Sequence, residues 1–277
     1  MGPDLFDLHA RVEDTHWWFT GRREIMRRLV ERVTPSGGTV VDIGCGTGAN
    51  VAALAGQYRV FGVDTSQDAL RHARAHFPGV QFIEGTADTA FPVIPGPVNC
   101  VLLMDVLEHV PDDFALLESV LAPLPAGSQV LLTVPADMRL WSGHDIAFQH
   151  YRRYDPVRLA AIWNAQPVRV RLLSFYCSRL YWPIRAVRAF RRRFTPRLQA
   201  AHSDLSTPPS LINQPLRRLF AAEQRPLVAA IDRDIRPFHH GSSLIAVLER
   251  LEGGVLMRGK PPEHASDPHD PRARAAS

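Results

Sequence analysis

Asp42-Ile43-Gly44-Cys45-Gly46-Thr47-Gly48 is the stretch on which the reading of this chain turns. It continues Thr39-Val40-Val41, an apolar β-branched run that reads as a short buried strand, and it opens a helical stretch to about Gly56. Glycines at alternate positions let the backbone approach a ligand and leave helix N–H groups for an anionic group. The dinucleotide fingerprint places its third glycine one position later. A phosphate loop would need Gly-Lys-Ser/Thr, which does not follow here. The alternate spacing better suits an amino-acid carboxylate and a nucleoside than a pyrophosphate.

Outward from this turn the pattern alternates. Strands are expected at Arg59–Val63, Val80–Ile83, Val98–Met104, Gln129–Val134 and Val168–Phe175. Helices are expected at Ser66–Phe77, Pro111–Leu121 and Pro156–Asn164. Strands separated by helical spans imply an α/β fold, a doubly wound parallel sheet with helices on both faces. Residues 1–38 read as an N-terminal helical lid carrying the aromatic knot His16-Trp17-Trp18-Phe19, and 39–175 as the α/β core. Residues 176–240 are an arginine-rich, proline-interrupted helical insert, followed by a last core strand within 241–252. The tail 253–277, rich in Gly, Pro and charge, is expected to be disordered.

Composition limits the class. The chain has 277 residues, 45% hydrophobic and 22% charged, an ordinary globular balance. No window approaches the roughly 18 uninterrupted apolar residues of a membrane span, and the acidic N-terminus lacks a secretory profile. Cys45, Cys100 and Cys177 are too few and scattered for a disulfide framework. The expected compartment is therefore a reducing cytoplasm. Of the 32 basic residues only Lys260 is lysine, which reads as the codon usage of a GC-rich, bacterial genome. Between Pro156 and Ser203 stand ten arginines and no acid, so that stretch carries +10 while the whole chain carries +4.

Acids recur at successive strand ends. Asp64 closes the second strand, where a carboxylate can accept both ribose hydroxyls. Asp88 follows the third in Glu84-Gly85-Thr86-Ala87-Asp88, placed to accept from an adenine amino group, and Met104-Asp105 closes the fourth. The alternative for each acid is a helix N-cap or a solvated loop.

Residues 39–134 resemble class I S-adenosylmethionine-dependent methyltransferases through DIGCGTG, the GVDTS acid, EGTAD and DVLEHV. The resemblance extends to a bacterial subgroup with HWWFTGRR near the start, LWSGHDIAFQHYRRY after the fifth strand and a late SDLSTPP…LIN…PFHHGSSLIAV segment. It implies a Rossmann-like seven-stranded sheet whose last strand is antiparallel, with the helical insert capping the active site. It also implies S-adenosyl-L-methionine as cofactor: Gly44, Gly46 and Gly48 at its methionine end, Asp42 orienting the loop, Asp64 on the ribose, Asp88 on the adenine, and Met104 with Asp105 against it.

Methyl transfer from a sulfonium needs alignment, water exclusion and often one base. His144, Asp145 and His150 cluster after the fifth strand and His109 ends the fourth; histidine suits the base because its pKa lies near operating pH. Each could equally be structural. Asp105, Glu108, His109 and the loop histidines could assemble a magnesium or manganese site, but the full ligand set is not apparent and no metal ligand is assigned. Trp17, Arg22, Tyr151, Arg152 and Arg153 are candidates for holding the acceptor, the arginines through a bidentate fork on an anionic group or else in pairs with acids of the N-terminal helices.

In the insert, Leu180, Ile184, Val187, Phe190 and Phe194 recur at helical spacing among arginines. Residues 180–197 could form a plain cap, or a basic amphipathic helix at an anionic membrane surface; no nucleic-acid module is recognisable. The expectation is methyl transfer, to oxygen, on a small-molecule or lipid- or sugar-linked intermediate. The alternatives are RNA or protein methylation with the same core, or a non-catalytic cofactor-binding protein that docks on membranes.

Overall fold

The computed structural model describes residues 10–194, 207–233 and 235–253. The tail from residue 254, residues 195–206 of the insert and residues 1–9 of the expected lid lie outside the described residues. The strands are β1 (Thr39–Ile43), β2 (Arg59–Asp64), β3 (Gln81–Glu84), β4 (Cys100–Met104), β5 (Gln129–Pro135), β6 (Val168–Tyr176) and β7 (Ser243–Arg250). They form one sheet in the order β3-β2-β1-β4-β5-β7-β6. The first five pair in parallel, and β7 runs antiparallel between β5 and β6. This is the doubly wound α/β sheet with an antiparallel last strand.

The helices are α1 (Trp17–Val33), α2 (Ala49–Ala52), α3 (Gln67–His76), α4 (Ala87–Ala90), α5 (Asp113–Leu121), α6 (Gly143–Ala147), α7 (Pro156–Ala161), α8 (Tyr181–Phe194), α9 (Ser210–Ala221) and α10 (Gln224–Ala230). Several boundaries differ from the sequence pattern by two or more residues, among them the start of β4 at Cys100 and the end of α7 at Ala161. The helix expected from Pro111 starts at Asp113, because the Asp112 carboxylate accepts from the Ala115 amide and caps it there. The helix after the glycine turn ends at Ala52, and the chain reaches β2 through turns.

β1, β4 and β5 are buried along their whole length, as central strands covered on both faces must be. On one face Val41, Val101 and Leu132 pack against Leu117 and Leu121 of α5 and Leu159 of α7. On the other, Val40, Leu102 and Leu131 meet Ile25, Met26, Leu29 and Val30 of α1, Phe220 of α9 and Leu227 of α10. Each of those four α1 side chains is fully buried, contributing about 1.5–3 kcal/mol by area. The N-terminal helix is thus a layer of the core, and only residues near its start, up to Arg22, reach the site.

Three arginines of the ten-arginine stretch are paired with acids. Arg158 pairs with Asp113 at 3.4 Å, Arg169 with Glu249 at 2.6 Å and Arg171 with Asp232 at 2.6 Å. β6 places its arginines beside acids on β7 and the loop before it, which the linear sequence separates by 61 to 80 residues.

The insert is fastened to α1 by buried Asn213, whose Oδ1 accepts from the Trp17 amide at 2.8 Å while its Nδ2 donates to the Thr15 carbonyl at 2.7 Å. A turn further on, Gly21 lets Phe220 lie against the α1 backbone. A Cβ at Gly21 would stand 2.7 Å from Cδ1 of that fully buried ring. Gly to Ala inside a helix ordinarily stabilises by about 0.5–1 kcal/mol. Here overpacking, at about 1–3 kcal/mol, dominates. Gly21→Ala should therefore lower the urea midpoint at an unchanged slope; a higher midpoint would show that α9 does not pack this closely.

Candidate functional site

The carboxyl ends of the strands open into a cavity of about 1290 Å³, above the roughly 300–1,000 Å³ of ordinary small-ligand pockets. Ile43, Asp64, Met104, Pro135 and, because β7 is reversed, its first residue Ser243 supply the floor. Trp17 and Trp18 of α1, Leu180, and Pro183, Ile184 and Val187 of α8 form apolar walls.

One half of the cavity is the glycine turn. Gly44 and Gly46 line it. Gly46 has φ +54° and nothing within 4 Å of where a Cβ would stand, so its backbone faces open space. Its amide donates to Asp64 Oδ2 at 2.8 Å, and Asp64 Oδ1 accepts from the Ser66 amide at 2.8 Å. The carboxylate thereby ties the turn after β1 to the turn after β2. Met104, 6% exposed, also lines the cavity.

Three residues expected at the cofactor lie elsewhere. Gly48 does not line the cavity; at φ +88° it packs on Phe82, whose ring carbon would be 2.7 Å from a Cβ. Asp88 is exposed on α4, one helical step beyond the cavity-lining Thr86 and Ala87, and the 100° turn per residue carries it off the site. Asp42 lies beneath the turn, fully buried, both carboxylate oxygens without a hydrogen-bond partner. Burial pushes its pKa up to about 8 against the pull of Arg22. Asp105 borders the cavity, but Arg22 binds its Oδ2, and Thr133 donates to its Oδ1 at 3.0 Å.

Glu13 was missed by the sequence reading. Thr47 Oγ1 donates to its Oε2 at 2.6 Å, so the N-terminal segment latches onto the glycine turn. Burial raises Glu13 to about 7. A lone glutamate 34 residues upstream of its partner carries no local signal.

The other half is built by the loop after β5. Asp145 of α6 is fully buried, accepting from Arg153 Nε at 2.8 Å and Nη2 at 3.0 Å, and it faces His150 Nδ1 at 3.0 Å. Burial alone would raise its pKa; His150 and Arg153 hold it well below the usual carboxylate range. His109 and His150 meet edge to face at 4.6 Å between centroids, and His144, stacked on Phe148, lies 6.1 Å from His150. Burial and the neighbouring His150 lower His109 to about 4. Glu108, fully buried, completes the group. Glu108, His109, His144 and His150 all line the cavity, so the structure brings together histidines from two loops.

The candidate anion-binding arginines are otherwise engaged. Arg152 is absent from the cavity lining; it pairs with Asp113 at 3.1 Å and donates to the Pro111 carbonyl at 2.8 Å. Arg153 lines the cavity but is committed to Asp145 and the Ala136 carbonyl. Arg22 is committed to Asp105 and stacks over Trp18 at 4.4 Å. Their acids are core acids, not those of the N-terminal helices. Trp17 and Tyr151 line the cavity, Tyr151 through a loop whose amide donates to the Glu108 carbonyl at 2.8 Å. In the insert, the histidine pair before Gly241 packs on α8: His240 lies 5.4 Å from Tyr181 and 5.8 Å from Trp182.

A family model for the methyltransferase domain matches residues 18–168. Trans-aconitate 2-methyltransferase of Rhodopseudomonas palustris (strain BisA53) is 33% identical over 150 residues, 51% of this chain and 58% of that protein. Ubiquinone biosynthesis O-methyltransferase of Pseudomonas paraeruginosa (strain DSM 24068 / PA7) is 32% identical over 108 residues, 37% of this chain and 47% of that one. The chain spans about half the length of the curated relatives it matches. A chain of the complex between the Haloferax volcanii Trm112 methyltransferase activator and a methyltransferase shares the fold, with TM-score 0.55 at 19% identity over 91% of this chain and 98% of that one.

Asp42 makes the cofactor-free fold pH-sensitive. Burial pushes its pKa in the folded chain up to about 8, far above the ordinary carboxylate range. The stability of the protonated form is therefore complete below pH ~4 and is lost as pH rises toward 8, at about 1.4 kcal/mol per unit. Thermal unfolding from pH 5 to 9 should show wild type losing stability relative to Asp42→Asn. Parallel curves would mean that Asp42 ionises normally.

Proposed function

The chain belongs to the methyltransferase-domain family, and from that premise we propose that it transfers a methyl group to an oxygen of a neutral, largely apolar acceptor, a small molecule or a lipid- or sugar-linked intermediate. The cofactor is S-adenosylmethionine. The observation that carries the reading is a single cavity with the Gly44–Gly46 turn and Asp64 at one end and three imidazoles at the other. The residues fit the cofactor: Gly46 leaves open the space a side chain would fill, and Asp64 retains acceptor capacity beside it.

When bound, S-adenosylmethionine supplies an electrophilic methyl group on a sulfonium. The chain's own residues do the rest. Met104 and the turn after β1 hold that end against the sheet edge. Trp17, Trp18 and the α8 side chains exclude water, which strengthens every electrostatic interaction inside. His109, His144 and His150 surround the acceptor's reacting oxygen and stabilise loss of its proton, with Asp145 orienting His150 from behind.

The acceptor's chemistry is argued from the walls. Trans-aconitate, named in the relatives, carries several carboxylates. Each arginine described at this cavity, Arg22, Arg153 and Arg188, is bonded to a carboxylate or a backbone carbonyl. A polycarboxylate would have to break those contacts, whereas a hydroxyl on an apolar body would not. A lipid-linked acceptor is favoured by the start of the insert, where Leu180 is buried and Ile184 of α8 half-buried while Trp182 and Phe190 are exposed by 58% and 62%, with Arg185 over the Trp182 ring at 5.3 Å. No described helix is long and apolar enough to cross a membrane, so contact would be peripheral.

Calorimetric titration of S-adenosylhomocysteine should give a dissociation constant on the order of micromolar. Asp64→Asn should weaken it at least about tenfold, the scale of one charged hydrogen bond. Folded wild type that binds neither the donor nor its product would sink the reading. Sedimentation with anionic vesicles at low salt decides the acceptor's form: pelleting that Trp182→Ala and Phe190→Ala abolish supports a lipid-linked substrate, and protein left in the supernatant supports a dissolved one.

A further inference from the structure

We propose that Glu108, His109 and His150 form a divalent transition-metal site in the acceptor half of the cavity, with its open coordination positions facing the acceptor oxygen. The three side chains each offer a ligand atom, and those atoms lie within 4.8 Å of one another. All three residues line the cavity.

The glutamate is the reason to look for an ion. Glu108 is 0% exposed and neither carboxylate oxygen has a hydrogen-bond partner. A buried carboxyl left unsatisfied costs several kcal/mol, and buried charges in folded proteins are paired or bind metals. Arg22 and Arg153, the nearest cations, are taken by Asp105 and Asp145. A cation bound in the cavity would give Glu108 the partner that the described side chains do not.

The histidines are arranged as ligands are. A metal-bound imidazole almost always donates its other N–H to a carboxylate or a backbone carbonyl, which fixes its tautomer and aims the remaining nitrogen. His150 places Nδ1 against Asp145 Oδ1 at 3.0 Å, and its ring meets that of His109 edge to face at 4.6 Å between centroids. The Asp145 contact leaves Nε2 of His150 for the site. Arg153 locks Asp145 through two hydrogen bonds, so His150 is held from two shells away.

Two imidazoles and one carboxylate suit borderline first-row ions better than magnesium or calcium, which prefer all-oxygen shells. Three protein ligands leave positions for water or substrate, as catalytic rather than structural sites do. The acceptor role rests on the methyltransferase reading; the binding of the ion does not. In that role His109 and His150 serve as ligands, and His144 is the imidazole left beside the acceptor.

The test uses tag-free full-length protein, stripped with chelator and titrated with Co²⁺ while its visible d–d absorption is followed. One equivalent should bind saturably, and Glu108→Gln, close to isosteric, should weaken binding at least about tenfold. Asp145→Asn, which touches no ion, should weaken it about 10- to 100-fold. His109→Asn provides a second ligand variant if Glu108→Gln is misfolded by circular dichroism. A folded wild type with no saturable Co²⁺ spectrum overturns the site, as do variants that titrate like wild type. S-adenosylhomocysteine titration on the same sample keeps the two readings apart. Cofactor binding without Co²⁺ binding overturns only the metal, and Co²⁺ binding without cofactor binding overturns only the reaction.

Discussion

The half of the cavity built by the loop after β5 depends on one fully buried carboxylate. Asp145 accepts two hydrogen bonds from Arg153, faces His150, and accepts from the Ser142 amide at the start of its own helix. A charge taken out of water is tolerated only when it is paired and its lone pairs are filled. Asp145 meets that condition from three directions, which fixes the path of the loop between β5 and α7. Arg153 extends the constraint by donating to the Ala136 carbonyl at the end of β5. Breaking such a pair costs about 3–5 kcal/mol, because the survivor is left buried and charged.

The cofactor half is held differently, by backbone. Asp64 ties two strand-end turns together through amide hydrogen bonds, and Thr47 fastens the turn to Glu13. The acids most deeply placed near the site, Asp42 and Glu108, have carboxyl oxygens without a hydrogen-bond partner among the described residues. Elsewhere the protein satisfies its buried charges, as Asp113 shows by accepting from Tyr154 and pairing with Arg152 and Arg158. Of these two, Glu108 lines the cavity and Asp42 lies buried beneath its glycine turn.

The insert serves both halves at once. α9 and α10 join α1 in covering one sheet face, while α8 closes the cavity. Asn213 and Phe220 fasten α9 to the first turns of α1, so the tryptophans there are placed by residues almost two hundred positions away. Opening the cavity by moving α1 would disturb the core; α8, exposed on its outer side, moves at lower cost.

Much of this was legible in the chain itself. A β-branched run ending in alternate glycines, followed by six more apolar runs, specified the sheet and the edge at which a ligand binds, because strand and turn signals are local. The resemblance to methyltransferases named the cofactor on the same residues. What sequence could not assign is which of several similar side chains faces the cavity. Asp88 and Gly48 looked like ligand residues and point elsewhere, one by helix rotation and one by packing on Phe82. Arg152 and Arg153 looked alike, yet one braces the core and the other braces a site acid. Glu13, Asn213 and the unsatisfied Glu108 became visible only when distant segments met. Local chemistry determined the fold and the kind of ligand. Tertiary structure alone decided which charges are already paired inside the chain, and therefore which remain for a ligand.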